Sequence, residues 1–138
     1  KYIPFGPIVN FEGFHEGDGP HTLSLPDAPS FSPLVCYEVI FAGEVTAKNE
    51  PRPEWILNVT NDAWYGISPG PLQHLAQAQY RAIEEGLPIV RVANTGVSAI
   101  FDAYGREILQ TGLFSDAAPE YLLPQPTPQM TIYSKLNK

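Results

Sequence analysis

Residues 33–45 read PLVCYEVIFAGEV and contain Cys36, the one cysteine of the chain. The apolar, β-favouring start predicts a buried strand with Cys36 at its C-terminal end, and residues 38–45 predict a short helix after it. A strand-to-helix turn exposes the sulfur and points backbone N–H groups toward it, which stabilises a thiolate. The same groups, above all the N–H of Tyr37, can stabilise an oxyanion on an attacked carbonyl.

Outward from this turn, the chain alternates between strands and helices. The pattern predicts buried strands at 55–60 and 88–93, a helix at 71–85, a β-hairpin from 97–102 and 106–110, and a last strand at 120–123. Gly86 ends the helix as a C-cap glycine, and Pro88 prevents its continuation. This order predicts a mixed α/β domain with helices on one face of a sheet. The single domain, residues 1–138, divides into a loop-rich entry at 1–32, a core at 33–123 and an extended tail at 124–138.

The composition excludes several classes of protein. The 138 residues are 43% hydrophobic, which fits a globular domain, and the formal net charge is −7 without a cluster of Lys and Arg. Nucleic acid is therefore not a predicted partner, because phosphate binding requires concentrated positive charge. One cysteine excludes an internal disulfide, and three scattered histidines do not predict a metal site. No apolar run approaches the roughly 18 residues of a membrane span, so the chain by itself is expected to be soluble.

Polar clusters follow three consecutive predicted strands. They are CYE at 36–38, NDAW at 61–64 and NTG at 94–96. Because sites in open α/β sheets form at the carboxyl ends of strands, we expect these clusters to converge if their strands are neighbours. If the clusters converge, Cys36 is interpreted as a reactive thiol. If they do not, it is interpreted as a small buried side chain. Trp64 is correspondingly either a wall of a substrate pocket or a lid over the core.

Histidine and arginine side chains have both catalytic and structural interpretations. His74 is a candidate base for Cys36, although its place in a helix favours a hydrogen bond to a loop instead. The arginines are expected to be structural and to pair with carboxylates. In this interpretation the partners of Arg81 and Arg91 are Glu84, Glu85 or Asp62.

Longer motifs resemble those of the apolipoprotein N-acyltransferase family. Residues 34–41, LVCYEVIF, are similar to its nucleophile motif, and residues 58–66, NVTNDAWYG, are similar to its Asn-Asp-Ala-Trp motif. Three further segments are similar as well: PFG at 4–6, GPLQH at 70–74, and residues 91–99. The order and spacing of the motifs agree from about residue 20 to residue 115.

The resemblance implies a carbon–nitrogen hydrolase fold, a nitrilase-like α/β/β/α sandwich of which this chain covers about the C-terminal half. Members of the family use a Cys nucleophile, a Glu base and a Lys, and no cofactor is implied. They move a fatty acyl chain from a phospholipid to the Cys and then to the N-terminal amine of an apolipoprotein. They belong to the bacterial inner membrane, and their catalytic domain faces the periplasm.

Seven residues match positions of these motifs. The catalytic set is Cys36 as the nucleophile, Tyr37 as the oxyanion donor through its backbone N–H, and Glu38 beside them. The substrate-binding set is Asn61, Asp62, Trp64 and Asn94. No residue is assigned to a metal.

The start of the chain departs from the family pattern. In the family, the catalytic Glu lies in the first half of the domain, and this sequence lacks that half. Lys1 itself lies about two positions too late to be the catalytic lysine. Pro7 stands where the family usually has a Glu. We therefore expect the chain to be inactive alone, and either to need the missing N-terminal half or to self-associate. Two other interpretations stay open: a nitrilase-like amidase, and a non-catalytic scaffold in which Cys36 is buried.

Overall fold

The computed structural model describes residues 17–137 as a five-stranded sheet with a long helix against it. The strands are β1 (Phe31–Val35), β2 (Trp55–Asn61), β3 (Ile89–Asn94), β4 (Ala99–Phe101) and β5 (Glu107–Gln110). The helices are α1 (Gly70–Glu85) and α2 (Ile132–Leu136), with 3-10 helices at Cys36–Ile40 and Asp62–Tyr65. The predictions made for Lys1, for the PFG motif at 4–6 and for Pro7 lie outside the described residues.

The sheet is mixed, and its strands follow one another in chain order from β1 to β5. β1, β2 and β3 run parallel, whereas β4 and β5 are antiparallel to their neighbours. The carboxyl ends of β1, β2 and β3 therefore lie at one edge of the sheet, which is where the three polar clusters begin. The predicted mixed α/β architecture is confirmed.

Helix α1 covers one face of the sheet and closes the core. Its buried side chains include Leu75, Ala78 and Ala82, and they belong to the same apolar cluster as Ile56 of β2 and Ile89 of β3. The helix ends at Gly86, whose φ of 64° is left-handed, as the sequence predicted. The strands predicted at 33–37, 55–60 and 88–93 and the helix at 71–85 are confirmed, with ends shifted by one or two residues.

Two predicted elements are wrong. Residues 38–45 do not form a helix: a 3-10 helix already begins at Cys36 and ends at Ile40, because Phe41 is extended (φ −81°, ψ 102°) and Gly43 has a φ of 76°. No strand forms at 120–123, where Leu122 is 87% exposed. Pro119 and Pro124 flank this segment and lack the N–H that a sheet ladder needs.

The tail was predicted to be extended and peripheral, but part of it is a helix that docks on α1. The Thr131 hydroxyl caps α2 by accepting a hydrogen bond from the Ser134 backbone N–H at 3.0 Å. The Ser134 hydroxyl is buried and donates to the Glu85 carboxylate at 2.8 Å. Arg52 completes the junction: its guanidinium donates to the carbonyls of Glu85, Gly86 and Thr127 at 2.9–3.1 Å. The last carbonyls of α1 are thus satisfied by a cation, which also suits the helix dipole.

Replacing Arg52 with Met should therefore lower the free energy of unfolding by about 1–3 kcal/mol, because three partly buried carbonyls lose a charged donor. Denaturant unfolding followed by circular dichroism measures this change. The matched control is Arg106→Met, because the Arg106 side chain is 72% exposed and lies 3.6 Å from the Asp102 carboxylate. The control should change stability by less than about 0.5 kcal/mol. Equal effects of the two substitutions would contradict the role given to Arg52.

Candidate active site

Cys36 lies at the bend between β1 and the first 3-10 helix, as predicted. Its φ is +53°, which places a non-glycine residue in the left-handed region, and its thiol is free and half-buried. The left-handed conformation costs about 1–2 kcal/mol for a residue with a Cβ. Strained residues of this kind persist where the surrounding structure fixes them, and they are concentrated at functional sites. The geometry of Cys36 favours a reactive thiol over a residue that only fills the core.

Glu38 braces this bend from the solvent side. Its carboxylate accepts a hydrogen bond from the Val35 backbone N–H at 2.6 Å, across the strained residue. The side chain remains exposed and lines a surface cavity of about 300 Å³ together with Leu34, Phe41 and Glu44. Glu38 therefore combines a structural hydrogen bond with a position at the rim of the site.

The three polar clusters converge at the carboxyl edge of the sheet, as predicted. The Asn58 amide lies 3.4 Å from the Cys36 carbonyl, which joins β2 to the bend. The Asn94 amide donates to Asn61 Oδ1 at 3.2 Å, which joins β3 to β2. Trp64 extends from this edge with 84% of its surface exposed, so the alternative that it covers the core is wrong.

Asp62, in contrast, points into the protein and is 1% exposed. Its carboxylate accepts from Arg91 Nη2 at 2.7 Å and from the Thr60 hydroxyl at 3.1 Å, and it lies 3.0 Å from His74 Nδ1. Burial lowers the pKa of Arg91, and the Asp62 carboxylate opposes that shift. The predicted pairing of Arg91 with Asp62 is confirmed, and so is the ion pair of Arg81 with Glu84 at 2.8 Å.

His74 belongs to this buried cluster and supports the aromatic side chains above it. Its ring stacks on Tyr37, with centroids 5.5 Å apart and planes inclined by 28°. Its Nδ1 lies 3.0 Å from Asp62 Oδ1 and 3.2 Å from Arg91 Nη2, so the interpretation of His74 as a histidine that hydrogen-bonds to a neighbouring turn is confirmed. Tyr65 packs against the same pair, and its pKa is raised by burial and by a hydrogen bond with Tyr37.

Asn58 is a residue of this site that the sequence analysis did not single out. It stands opposite Leu34 of β1 and Arg91 of β3 in the strand register, on the face that α1 covers, and it is fully buried. Arg91 Nη1 donates to Asn58 Oδ1 at 2.5 Å. A signal was present in the sequence: Asn58 and Arg91 each stand between two apolar residues inside a strand, and a buried polar group requires a partner.

Together, the parallel strands, the strained cysteine at their edge and the covering helix define one class of protein. The chain matches the carbon–nitrogen hydrolase family over residues 4–118, and it belongs to that family. A solved structure of similar fold is an amidase of the nitrilase superfamily from Nesterenkonia, with a TM-score of 0.54 at 20% identity. That match covers 71% of this chain and 39% of the amidase, so this chain carries part of the fold.

Within this family, the chain is similar to apolipoprotein N-acyltransferases. It is 53% identical to the protein of that name from Bradyrhizobium diazoefficiens, over 97% of this chain. It is 51% identical to the one from Rhodopseudomonas palustris, over 99% of this chain. The chain spans 28% of the length of each of these two relatives.

The strain at Cys36 makes a testable prediction about stability. The free energy of unfolding of Cys36→Gly should exceed that of Cys36→Ala by about 0.5–1 kcal/mol, because glycine adopts a positive φ without a steric cost. Cys36→Gly should therefore unfold at a higher denaturant concentration. Ala63, in the second 3-10 helix, has no positive φ and serves as the control position. There, Ala63→Gly should destabilise the chain by up to about 1 kcal/mol. A Cys36→Gly variant less stable than Cys36→Ala would show that the bend is not strained.

Proposed function

We propose that this chain contributes the nucleophile of a lipoprotein N-acyltransferase. The observation that carries the proposal is a free cysteine in a left-handed bend at the carboxyl edge of a parallel sheet. The bend belongs to a chain that is 53% identical to an apolipoprotein N-acyltransferase. The donor is a phospholipid, and the acceptor is the N-terminal amine of an apolipoprotein.

The chemistry proceeds in two acyl transfers. The Cys36 thiolate attacks the carbonyl carbon of the phospholipid ester, a C–S bond forms, and the carbonyl electrons move to oxygen. When the tetrahedral intermediate collapses, the C–O bond of the ester breaks and the lysophospholipid leaves with a proton. The acceptor amine then attacks the thioester, an amide forms, and the Cys36 sulfur is released. Each tetrahedral intermediate carries an oxyanion, for which the Tyr37 backbone N–H is the proposed donor.

The remaining polar residues divide into two groups in this proposal. Glu38, Asn61, Asn94 and Trp64 face the substrate, since all four are exposed at the carboxyl edge of the sheet. Asp62 has a supporting role instead of the substrate contact first assigned to it. The reason is that its carboxylate is buried and already engaged by Arg91, Thr60 and His74.

The sheet face opposite α1 supports the proposal that another half of the sandwich packs here. Val35, Val59 and Val92 form one row across three parallel strands, and they are 60%, 41% and 52% exposed. Parallel sheets normally have both faces covered, and a row of exposed valines is typical of an interface. We propose that this face receives the part of the domain that supplies the general base and the lysine. The chain alone is then inactive in turnover.

The full acyltransferase is proposed to reside in the bacterial inner membrane with this domain on the periplasmic side. Among residues 17–137, no helix has the length and apolar character that a membrane crossing requires.

A chimera tests the function directly. This chain replaces the matching 28% of the Bradyrhizobium relative, and acyl transfer from phospholipid to a diacylated lipopeptide is measured by mass spectrometry. The chimera should show an acyl thioester on Cys36 and should transfer the chain to the lipopeptide amine. Cys36→Ala should lose both, by at least about 10³-fold.

Three outcomes separate the alternatives. Hydrolysis of a soluble amide, without acyl transfer to the lipopeptide, would indicate a nitrilase-like amidase. A Cys36 that iodoacetamide labels in urea but not in the folded chimera would indicate a buried thiol and a scaffold. Turnover by the 138-residue chain without the rest of the relative would contradict the proposed inactivity.

The valine row predicts the behaviour of the chain alone. At micromolar concentration it should self-associate, and the double substitution Val59→Lys with Val92→Lys should weaken association at least about tenfold, because lysines resist burial. Analytical ultracentrifugation measures this change. The control is Ile67→Lys, since Ile67 is fully exposed in the loop before α1. If the double variant and the control associate equally, the valine row is not the interface.

A further inference from the structure

The Asn58 side chain contacts the main chain of the nucleophile bend at two points. Its Nδ2 donates to the Leu34 carbonyl at 3.3 Å and to the Cys36 carbonyl at 3.4 Å. Both hydrogen bonds are long, but the Asn58 side chain is fully buried, and the bond to the Leu34 carbonyl is buried with it. Asn58 therefore holds the main chain at Leu34, two residues before the strained position, and at the strained residue Cys36 itself.

The Cys36 carbonyl and the Tyr37 N–H belong to the same peptide group. Because a peptide group is planar and trans, these two bonds point in opposite directions. A hydrogen bond that holds the carbonyl toward Asn58, on the α1 side of the sheet, turns the Tyr37 N–H to the other side. The direction of this N–H is thus set by a side chain on the neighbouring strand.

The orientation of the Asn58 amide is itself fixed. Arg91 Nη1 donates to Asn58 Oδ1, and a guanidinium cannot accept a hydrogen bond, so Nδ2 must face the two carbonyls. Arg91 is held in turn by the Asp62 carboxylate at 2.7 Å, and both side chains have no exposed surface. The amide cannot flip without breaking the contact to a buried charge.

We propose that Asn58 is a positioning residue that aims the Tyr37 backbone N–H at the oxyanion formed on Cys36. This inference rests on the proposed function, in which Cys36 is the acylated nucleophile. Asn58 does not touch the substrate, and it acts through the plane of one peptide group. Arg91 and Asp62 keep its amide in the required orientation.

Two reagents separate oxyanion stabilisation from simple thiol reactivity. With 4-nitrophenyl acetate, the Cys36 thiolate attacks the ester carbon, an oxyanion forms, and collapse releases 4-nitrophenolate and leaves an S-acetyl group. With iodoacetamide, the thiolate displaces iodide at a saturated carbon, and no oxyanion forms. In both reactions the thiol proton passes to the buffer. The ratio of the two rate constants therefore reports the oxyanion donor and is independent of the thiolate fraction.

The informative variant is Asn58→Asp, measured in the 138-residue chain. The carboxylate has the same size and still accepts from Arg91, but it offers no donor to the two carbonyls and repels them. The ratio of acetylation to alkylation should fall at least about tenfold, because the loss of one oxyanion donor costs about 10²–10³ in rate. The alkylation rate should change less than about twofold. Asn49→Asp, at an exposed loop position, is the matched control and should leave the ratio unchanged.

A second variant decides the outcome if Asn58→Asp does not fold, as judged by circular dichroism. Arg91→Lys keeps the charge that faces Asp62 but lacks the fork that also reaches Asn58, so the ratio should fall as well. An unchanged ratio in a folded Asn58→Asp variant, or in folded Arg91→Lys, overturns the inference.

Failure of the proposed function has a different signature. In that case, the folded unsubstituted chain shows no higher ratio than the same chain unfolded in urea, where no oxyanion donor is held in place. A higher ratio in the folded chain that persists in Asn58→Asp leaves the function standing and removes the role of Asn58.

Discussion

The buried ion pair between Arg91 and Asp62 is the interaction on which the rest of the site depends. Removing two charges from water costs several kcal/mol per ion, and good geometry with further hydrogen bonds to both partners offsets this cost. Here the second terminal nitrogen of Arg91 reaches Asn58, and Thr60 and His74 also contact the Asp62 carboxylate, whereas Arg91 Nε has no hydrogen-bond partner. Loss of either ion would leave the other buried and unpaired, at a cost of about 3–5 kcal/mol. The ends of β2 and β3 are therefore held in one arrangement.

The same ion pair explains why Gly96 ends the polar cluster at residues 94–96. A Cβ on Gly96 would lie 2.7 Å from Asp62 Cγ, closer than real Cβ contacts allow. Glycine is needed there because the chain passes directly over the buried carboxylate. From this centre the contacts continue to the bend through Asn58 and through His74, on which Tyr37 stacks. Cys36 keeps its left-handed conformation because these contacts fix both β1 and the 3-10 helix that begins at Cys36.

Regular periodicity made much of the fold predictable from the sequence. The apolar runs of β1, β2 and β3 and the three- and four-residue spacing of α1 predicted those elements correctly, and the polar clusters lie together at the carboxyl edge of the sheet. The helix predicted at residues 38–45 is wrong. The composition of this segment suits a helix, but the turn at Gly43 requires a positive φ. Helix α2 was not predicted, because its five residues are stabilised by contacts with Glu84 and Glu85, which are far away in sequence. Asp62 was named both as a substrate-binding residue and as a partner of Arg91, since an aspartate at a strand end carries no sign of whether it points in or out. The structure buries its carboxylate against Arg91.

The two faces of the sheet have separate tasks in this arrangement. Leu34, Asn58, Arg91 and Ala99 form one row on the α1 face, and this row contains the amide and the guanidinium that set the geometry of the bend. The next row, on the opposite face, consists of Val35, Val59 and Val92 and contains no polar side chain. Cys36 follows β1 at the edge where both faces end. The shape of the bend at Cys36 is thus determined within this chain, by Asn58 and the charges that hold its amide. In the proposed acyltransferase, the sulfur would therefore already be positioned before a base and a lysine pack against the valine face.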